Sequence, residues 1–265
     1  MGIIGKWGRA RTLVPVDRLG EYEARLVDLH AQGLPRIMRR VFSRCVAEFS
    51  EPDAAFDALY LDGLFTTRAS PRPFRRRDRF RILVKEFECT LDLRGQIAEC
   101  GCAGGLSSFL LCSRLRQHSS TFDGTGYEIY DSFQGLSEPQ PEDALAPDTD
   151  PLVRQSLIAG KFAFPLERVK QALAAFPNIT YGPGWIPDAF PDDDRRYRFA
   201  HVDVDLYQPT KASFEYFWPR VVPGGVMVCD DYNWPGARRA VEEFARSSST
   251  AFRVTPNTQA VFTKS

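Results

Sequence analysis

Apolar residues recur at helical spacing through the first third of the chain and fall into short runs after it. Val27, Leu34, Ile37, Met38 and Val41 repeat at the interval of one helix face. Phe80, Leu83, Val84, Phe87 and Leu91 share a face of a second helix over 80–91. Residues 1–92 are therefore expected to form a helical region. From about residue 94 short apolar runs alternate with amphipathic stretches, the signature of a mostly parallel sheet. Strands are expected at 96–100, 126–130, 178–181, 198–204 and 225–229. Helices are expected at 105–116, 165–175, 210–218 and 235–246. Leu106, Leu110 and Leu111 point inward from the first of these, and Leu166, Val169 and Leu173 from the second. Segments 252–254 and 260–263 close the chain as an antiparallel hairpin. The fold class is α/β, a doubly wound sheet of seven strands with an N-terminal helical region. Such sheets bind ligands at the carboxyl ends of their strands.

Residues 134–160 carry five acids and prolines at 139, 141, 147 and 151. They read as a long loop, which in a compact domain often covers a site. Residues 68–81 hold seven arginines and a single acid, Asp78. Two readings stand for that run: a solvated loop with a helix start, or a lid that binds an anion or an acceptor.

The chain has 265 residues, 43% of them hydrophobic and 26% charged, enough for a packed core. Lys plus Arg is 34 and Asp plus Glu is 34, so the formal charge is zero. That balance argues against a dedicated nucleic-acid binder or a polybasic membrane binder. No apolar run reaches the roughly 18 to 20 residues needed to span a bilayer. The start, MGIIGKWGRARTLV, lacks the apolar stretch and cleavage site of a signal peptide. Lys6 stands where myristoylation wants Ser or Thr. The six cysteines form no CxxC pair and no zinc-like spacing. Cys89, Cys100 and Cys229 fall in apolar stretches and are expected to pack as small hydrophobes. A reducing, cytoplasmic setting follows as the expectation.

The first strand ends in Glu99-Cys100-Gly101-Cys102-Ala103-Gly104-Gly105. Its glycines allow a tight turn and close ligand approach, and the following helix N-terminus favours negative charge. The dinucleotide fingerprint is absent, because Ala103 and Leu106 stand where GxGxxG needs glycine. The pattern E-x-G-x-x-x-G instead matches the first motif of S-adenosylmethionine-dependent methyltransferases, although Gly-rich turns of this kind are common. The second strand ends in Asp131-Ser132-Phe133. An acid there accepts ribose hydroxyls in a Rossmann-like fold, or simply caps a helix.

Asp203-Val204-Asp205-Leu206-Tyr207 closes the fourth strand, and Asp230-Asp231-Tyr232 closes the fifth, with Asp230 27 residues after Asp203. That gap fits one loop, one helix and one strand. Adjacent strands would bring Asp203, Asp230 and Asp231 to one rim, where their charges repel strongly in a low dielectric. A divalent cation such as Mg²⁺ relieves the conflict with hard oxygen ligands. Asp205 and His201 share the face of Asp203 if the strand continues. Both are catalytic candidates with Asp203, although His201 reads better as a buried, hydrogen-bonded strand histidine.

The run HVDVDLYQPTKASFEYFWPRVVPGGVMVCDDYNWPGARRAVEEFA resembles the core of the macrocin O-methyltransferase family, which makes antibiotic-sugar methyl ethers of the mycinamicin and novobiocin type. The likeness runs from Glu99 through DSFQGL at 131–136 and GPGWIPDAF at 182–190 to TPNTQAVFTK at 255–264, with a weaker match around Arg79. The DxDLY-to-DDY combination is its most specific part. The resemblance implies a Rossmann-like class I methyltransferase fold, with a methyltransferase domain over 93–265. It implies an O-methyltransferase that depends on S-adenosylmethionine and Mg²⁺ and acts on a sugar hydroxyl of a glycosylated small molecule or glycan. Glu99, Gly101 and Gly105 would shape the methionine end of the cofactor site. Asp131 and Ser132 would hold the ribose, and Gly184, Trp185 and Ile186 would lie by the adenine. Ser107 and Asp203 would add cofactor contacts. Asp203, Asp230 and Asp231 would bind the metal, and Asp205 would be the general base. A homodimer is implied as well.

The chain departs from the family at Ala103 and Gly104, where members tend to carry Trp and Arg, and at Val204, where many carry Gly. Other readings are a catalytically silent S-adenosylmethionine-binding partner, a catechol-type methyltransferase and a metal-dependent hydrolase. The hydrolase has no use for the Glu99 turn or Asp131.

Overall fold

Four helices come first. In the computed structural model, which describes residues 16–68, 73–149 and 154–265, they are α1 (Val16–Ala31), α2 (Pro35–Phe49), α3 (Ala54–Thr67) and α4 (Pro73–Glu88). The N-terminal stretch MGIIGKWGRARTLV and residues 69–72 of the arginine run lie outside the described residues.

Gly33, at φ +66°, ends α1 in the left-handed region, and Pro35 opens α2 in its first turn. The break resets the helical phase. Met38 and Val41 are buried, but Leu34 and Ile37 are 36% and 44% exposed, against the single-face expectation. Most of the arginine run belongs to α4, which begins at Pro73 rather than at 80. Arg77 is fully buried there. Its Nε pairs with Asp57 Oδ1 of α3, Nη1 reaches Ser50 Oγ at 3.1 Å, and Nη2 reaches the Glu51 carbonyl at 3.1 Å. From Pro73 on, the run is thus the helix start of the first reading, fastened by Arg77.

The sheet comprises β1 (Gln96–Cys100), β2 (Tyr127–Asp131), β3 (Thr180–Pro183), β4 (Tyr197–Val202), β5 (Val221–Cys229), β6 (Arg253–Val254) and β7 (Ala260–Thr263). Their order is β3-β2-β1-β4-β5-β7-β6, with β7 antiparallel to both neighbours and the other pairs parallel. This is the expected seven-stranded, mostly parallel sheet with a closing hairpin. The connecting helices are α5 (Leu106–His118), α6 (Leu166–Ala172), α7 (Tyr207–Phe217) and α8 (Pro235–Ser247). β5 starts earlier than expected because a register shift carries its ladder from Val221 past Gly224 and Gly225 to Val226.

Alternation along the strands divides the core in two. Ile97, Ile129, Phe199 and Val228 pack under α1–α6 on one face. Ala98, Ala200, Met227 and Phe262 pack under α7 and α8 on the other. All six thiols are free; Cys100 and Cys229 are buried, but Cys89, just past α4, is exposed rather than packed. Among the described residues no helix is long and apolar enough to cross a membrane.

Among its described residues, 134–149 and 154–160, the 134–160 segment has a closed neck. The Leu136 N–H donates to the Lys161 carbonyl and the Gly160 N–H to the Leu136 carbonyl, each at 2.9 Å. Its one short 3₁₀ turn among the described residues, Pro141–Asp143, carries buried Asp143. Asp143 Oδ1 accepts the N–H of Tyr207 at 2.7 Å, so the loop is tethered at the start of α7.

Candidate active site

β1, β4 and β5 end flush. The Asp203 N–H donates to the Cys100 carbonyl at 2.8 Å, and the Asp230 N–H to the Val202 carbonyl at 2.9 Å. The ladder thus runs one residue past each strand end, and Gly101, Asp203 and Asp230 stand abreast at one rim. Gly101 has φ +77°, and a Cβ there would lie 1.9 Å from the Asp203 carbonyl oxygen, so only glycine lets the strand ends come this close. Winding reverses between β1 and β4, which makes this rim the topological switch point. A cleft of about 360 Å³ opens there.

The strand-end acids converge on it. Asp203, Asp205 and Asp231 offer oxygens within 4.8 Å of one another, and so do Asp203 and Asp230 together with His201. Arg79 of α4 reaches into the cluster. Its Nη2 lies 3.3 Å from Asp203 Oδ1 and 3.0 Å from Asp231 Oδ1, and it also contacts Asp230 Oδ2. Asp230 is held from behind by the Gln259 side-chain amide, which donates to its Oδ1. Asp205 adopts φ +57°, which turns the chain out of β4 and into α7.

These acids titrate unlike free aspartates. Burial, then the charge of Asp203, pushes Asp205 up to about 7. Burial and the charges of Asp205 and Asp203 hold Asp231 well above the carboxylate range. Asp203 is lowered although burial opposes it, because Arg79 and His201 favour its charge. Like charges have been forced together with too little cation to balance them. Asp231 Oδ2 is also buried without a hydrogen-bond partner. A set of carboxylate oxygens with one of them orphaned fits a hard divalent cation.

Asp131 bridges two strand-end turns. Its Oδ2 accepts the Cys102 N–H and its Oδ1 accepts the Phe133 N–H, each at 2.7 Å. Ser132 Oγ donates to the Gly135 carbonyl at 2.8 Å. Gly101, Asp131, Ser132, Gly184, Trp185 and Ile186 all line the cleft, as do Asp203, Asp205, Asp230 and Asp231. Trp185 is 42% exposed and is not part of the core.

Four expected site residues stand behind the wall instead. Glu99 is fully buried; it accepts hydrogen bonds from Ser108 and from the Tyr127 hydroxyl, and its Oε1 lies 3.1 Å from His201 Nδ1. Parallel register sets Glu99 directly beside His201, whose Nε2 is left buried without a hydrogen-bond partner. His201 is equally buried, its Nε2 3.8 Å from Asp230 Oδ1, and it is closed off from the cleft. Gly105 caps α5 against Leu173 and Val169, and Ser107 is buried within α5. Arg76 and Arg79, from the run for which an anion- or acceptor-binding role was one of the two readings, also line the cleft, and Asn233 and Trp234 line it without having been singled out. A signal for the arginines existed: positions 76 and 79 extend the 80-83-84-87 stripe one turn upstream, onto the face that meets the sheet.

Comparison with known proteins agrees with this architecture. Residues 74–256 match the family model of macrocin-O-methyltransferase (TylF). Over 155 residues the chain is 30% identical to an 8-demethyl-8-(2,3-dimethoxy-alpha-L-rhamnosyl)-tetracenomycin-C 4'-O-methyltransferase of Streptomyces olivaceus, covering 57% of this chain and 58% of that one. It is 28% identical over 154 residues to demethyldecarbamoylnovobiocin O-methyltransferase of Streptomyces niveus, with the same coverage. The chain thus spans under two thirds of the length of these curated relatives. Among solved structures, calicheamicin methyltransferase CalS11 aligns with a TM-score of 0.61 at 18% identity, covering 82% of this chain and 96% of that one, and so shares the fold.

Proposed function

The chain belongs to the macrocin-O-methyltransferase (TylF) family, and from that premise we propose that it methylates a sugar hydroxyl on a glycosylated small molecule, using S-adenosylmethionine and a divalent cation such as Mg²⁺. The observation that carries this reading is the meeting of Asp131 from β2 with the four aspartates of β4 and β5 around one switch-point cleft. S-adenosylmethionine supplies, when bound, a methyl on a sulfonium leaving group, so the protein's work is to position and deprotonate. The cation supplies positive charge that brings an alcohol's pKa towards neutrality.

The residues divide that work. The amides of Cys102 and Phe133 hold Asp131 rigid and leave its other lone pairs for the ribose hydroxyls. Trp185 and Ile186 offer an apolar wall for the adenine. Asp203, Asp230 and Asp231 hold the cation, and Gln259 keeps Asp230 turned towards it. Asp205, two residues past Asp203 and at the cleft wall, takes the proton from the acceptor hydroxyl. Tethered by Asp143, the 134–160 loop contributes Leu136, Ser137 and Ser156 to the cleft and limits water there.

Calorimetric titration with S-adenosylmethionine and with its demethylated product tests the reading, with and without Mg²⁺. Wild type is expected to bind both, and Asp131→Ala to bind at least about tenfold more weakly, the scale of one lost charge-assisted hydrogen bond. Folded wild type that binds neither ligand overturns the proposal.

A stability prediction follows from Asp205. Its carboxyl titrates at about 7 in the fold, against about 3.9 in an unfolded chain. Between those values the folded state keeps a proton that the unfolded state has lost. Stability of the cation-free protein therefore falls as pH rises from about 4 through 7, and Asp231 adds to the fall with the same sign. A cation favours the ionised carboxylates. The rise in melting temperature on adding Mg²⁺ is expected to be larger at about pH 8 than at about pH 5.5. An equal rise at both would show that these acids do not take up the ion.

A further inference from the structure

Arg79 and Arg77 sit two residues apart on α4 and are used very differently. Arg77 spends all three guanidinium nitrogens on Asp57, Asp78, Ser50 and the Glu51 carbonyl, and it has no exposure. It is a finished structural tie. Arg79 meets three carboxylates, from Asp203, Asp230 and Asp231, with the single nitrogen Nη2. That nitrogen carries two hydrogens and cannot donate well to three acceptors. Its Nε is buried without a partner, and so is Asp231 Oδ2. No planar fork-to-carboxylate pairing forms, although that is how arginine binds acids best. Three hard oxygens aimed at one point describe the surroundings of a small spherical cation.

We propose that Arg79 is a stand-in counter-ion: its guanidinium occupies the divalent-cation position of the unloaded enzyme, and cation and arginine compete for the same three carboxylates. This rests on the reading that those aspartates hold a cation. Arg79 is 25% exposed and lines the cleft beside Arg76, so its side chain can swing into open space while Arg77 keeps α4 in place. Among the described residues Arg76, Arg79 and His201 are basic groups that act on these acids, and of these Arg79 touches all three metal-binding candidates. The exchange keeps four acids from facing one another uncompensated before the ion arrives. It also makes cation affinity depend on a residue that need not ligate anything in the loaded enzyme.

The test uses Mn²⁺ as probe on the full chain, without methyl donor or acceptor, and reads bound ion by electron paramagnetic resonance. Arg79→Met is expected to bind Mn²⁺ on the order of tenfold more tightly than wild type, since the competitor is gone. Arg79→Lys, which keeps the charge, is expected to stay near wild type. In chelator Arg79→Met should melt below wild type, and saturating Mn²⁺ should close the gap. Equal or weaker Mn²⁺ binding in Arg79→Met overturns the proposal. If that variant does not fold, Mg²⁺ titration of wild type is followed through the Arg79 Nε–H resonance, assigned by its loss in Arg79→Lys. The proposal requires that signal to change in step with loading, and an unchanged signal at saturation overturns it. Folded wild type that binds S-adenosylmethionine but no Mn²⁺ removes the cation from the proposed function and this inference with it. Mn²⁺ binding that is insensitive to Arg79 removes the inference alone.

Discussion

Asp231→Asn is expected to lower methyl transfer on the order of a thousandfold, because cation binding contributes several kcal/mol to the barrier and each 1.36 kcal/mol is a factor of ten. The substitution keeps the volume and removes one charge. Asp231 is the most telling of the three candidates. It belongs to the tight group with Asp203 and Asp205, and its Oδ2 is buried with no partner. Asp230, by contrast, already has Gln259 on one oxygen. The loss should appear in Mn²⁺ affinity and in rate together, while affinity for S-adenosylmethionine stays within about threefold, since Asp131 and Trp185 lie on the other arm of the cleft. Raising the Mg²⁺ concentration should restore part of the rate. A variant with full activity in a chelator would show that the aspartates serve some purpose other than holding a cation.

Asp205→Asn is expected to reduce kcat by about 10²- to 10⁴-fold, the usual contribution of a general base. Its effect should differ in kind from that of Asp231→Asn. Asparagine cannot accept the proton, so the acid limb of the pH–rate profile should disappear along with the rate, and added Mg²⁺ should not help. Position supports the role: Asp205 leaves β4 at φ +57° two residues after Asp203, at the cleft wall. A rate within about threefold of wild type would eliminate Asp205 as the base. A parallel loss of Mn²⁺ affinity would reassign it as a fourth ligand, consistent with its place among the clustered oxygens.

Of the acid cluster, the part legible in sequence was the part set by strand geometry. Asp203 and Asp230 each follow a buried apolar run, and the 26 residues between them hold an α-helix and a strand. Parallel register then leaves little choice but to bring them abreast. Glu99 was expected at the cofactor site and stands behind the wall, while His201 is the buried, hydrogen-bonded strand histidine that its sequence reading favoured. Their strand positions were right, but strand phase alone could not tell a residue at the rim from one a turn beneath it. The structure shows that they face each other across β1 and β4. Leu34 and Ile37 were misjudged because helical phase was carried through Gly33 and Pro35, where the chain starts a new helix.

Sequence by itself determined the order of strands and helices, the glycine at 101 and the acids at the ends of β2, β4 and β5. These depend on local periodicity and on turns whose residue types are restricted. Tertiary structure alone decided which cation the acids meet. Arg79 is 124 residues from Asp203 and 152 from Asp231 along the chain. No local preference connects them; α4 must first be bolted by Arg77 and packed through Phe80, Leu83, Val84 and Phe87 onto the sheet. The tether from Asp143 to Tyr207 is of the same sort, a single carboxylate on a loop that finds a helix N-terminus 64 residues away. Side chains brought together across such distances are chosen by the packed fold as a whole, because their partners do not exist until it forms.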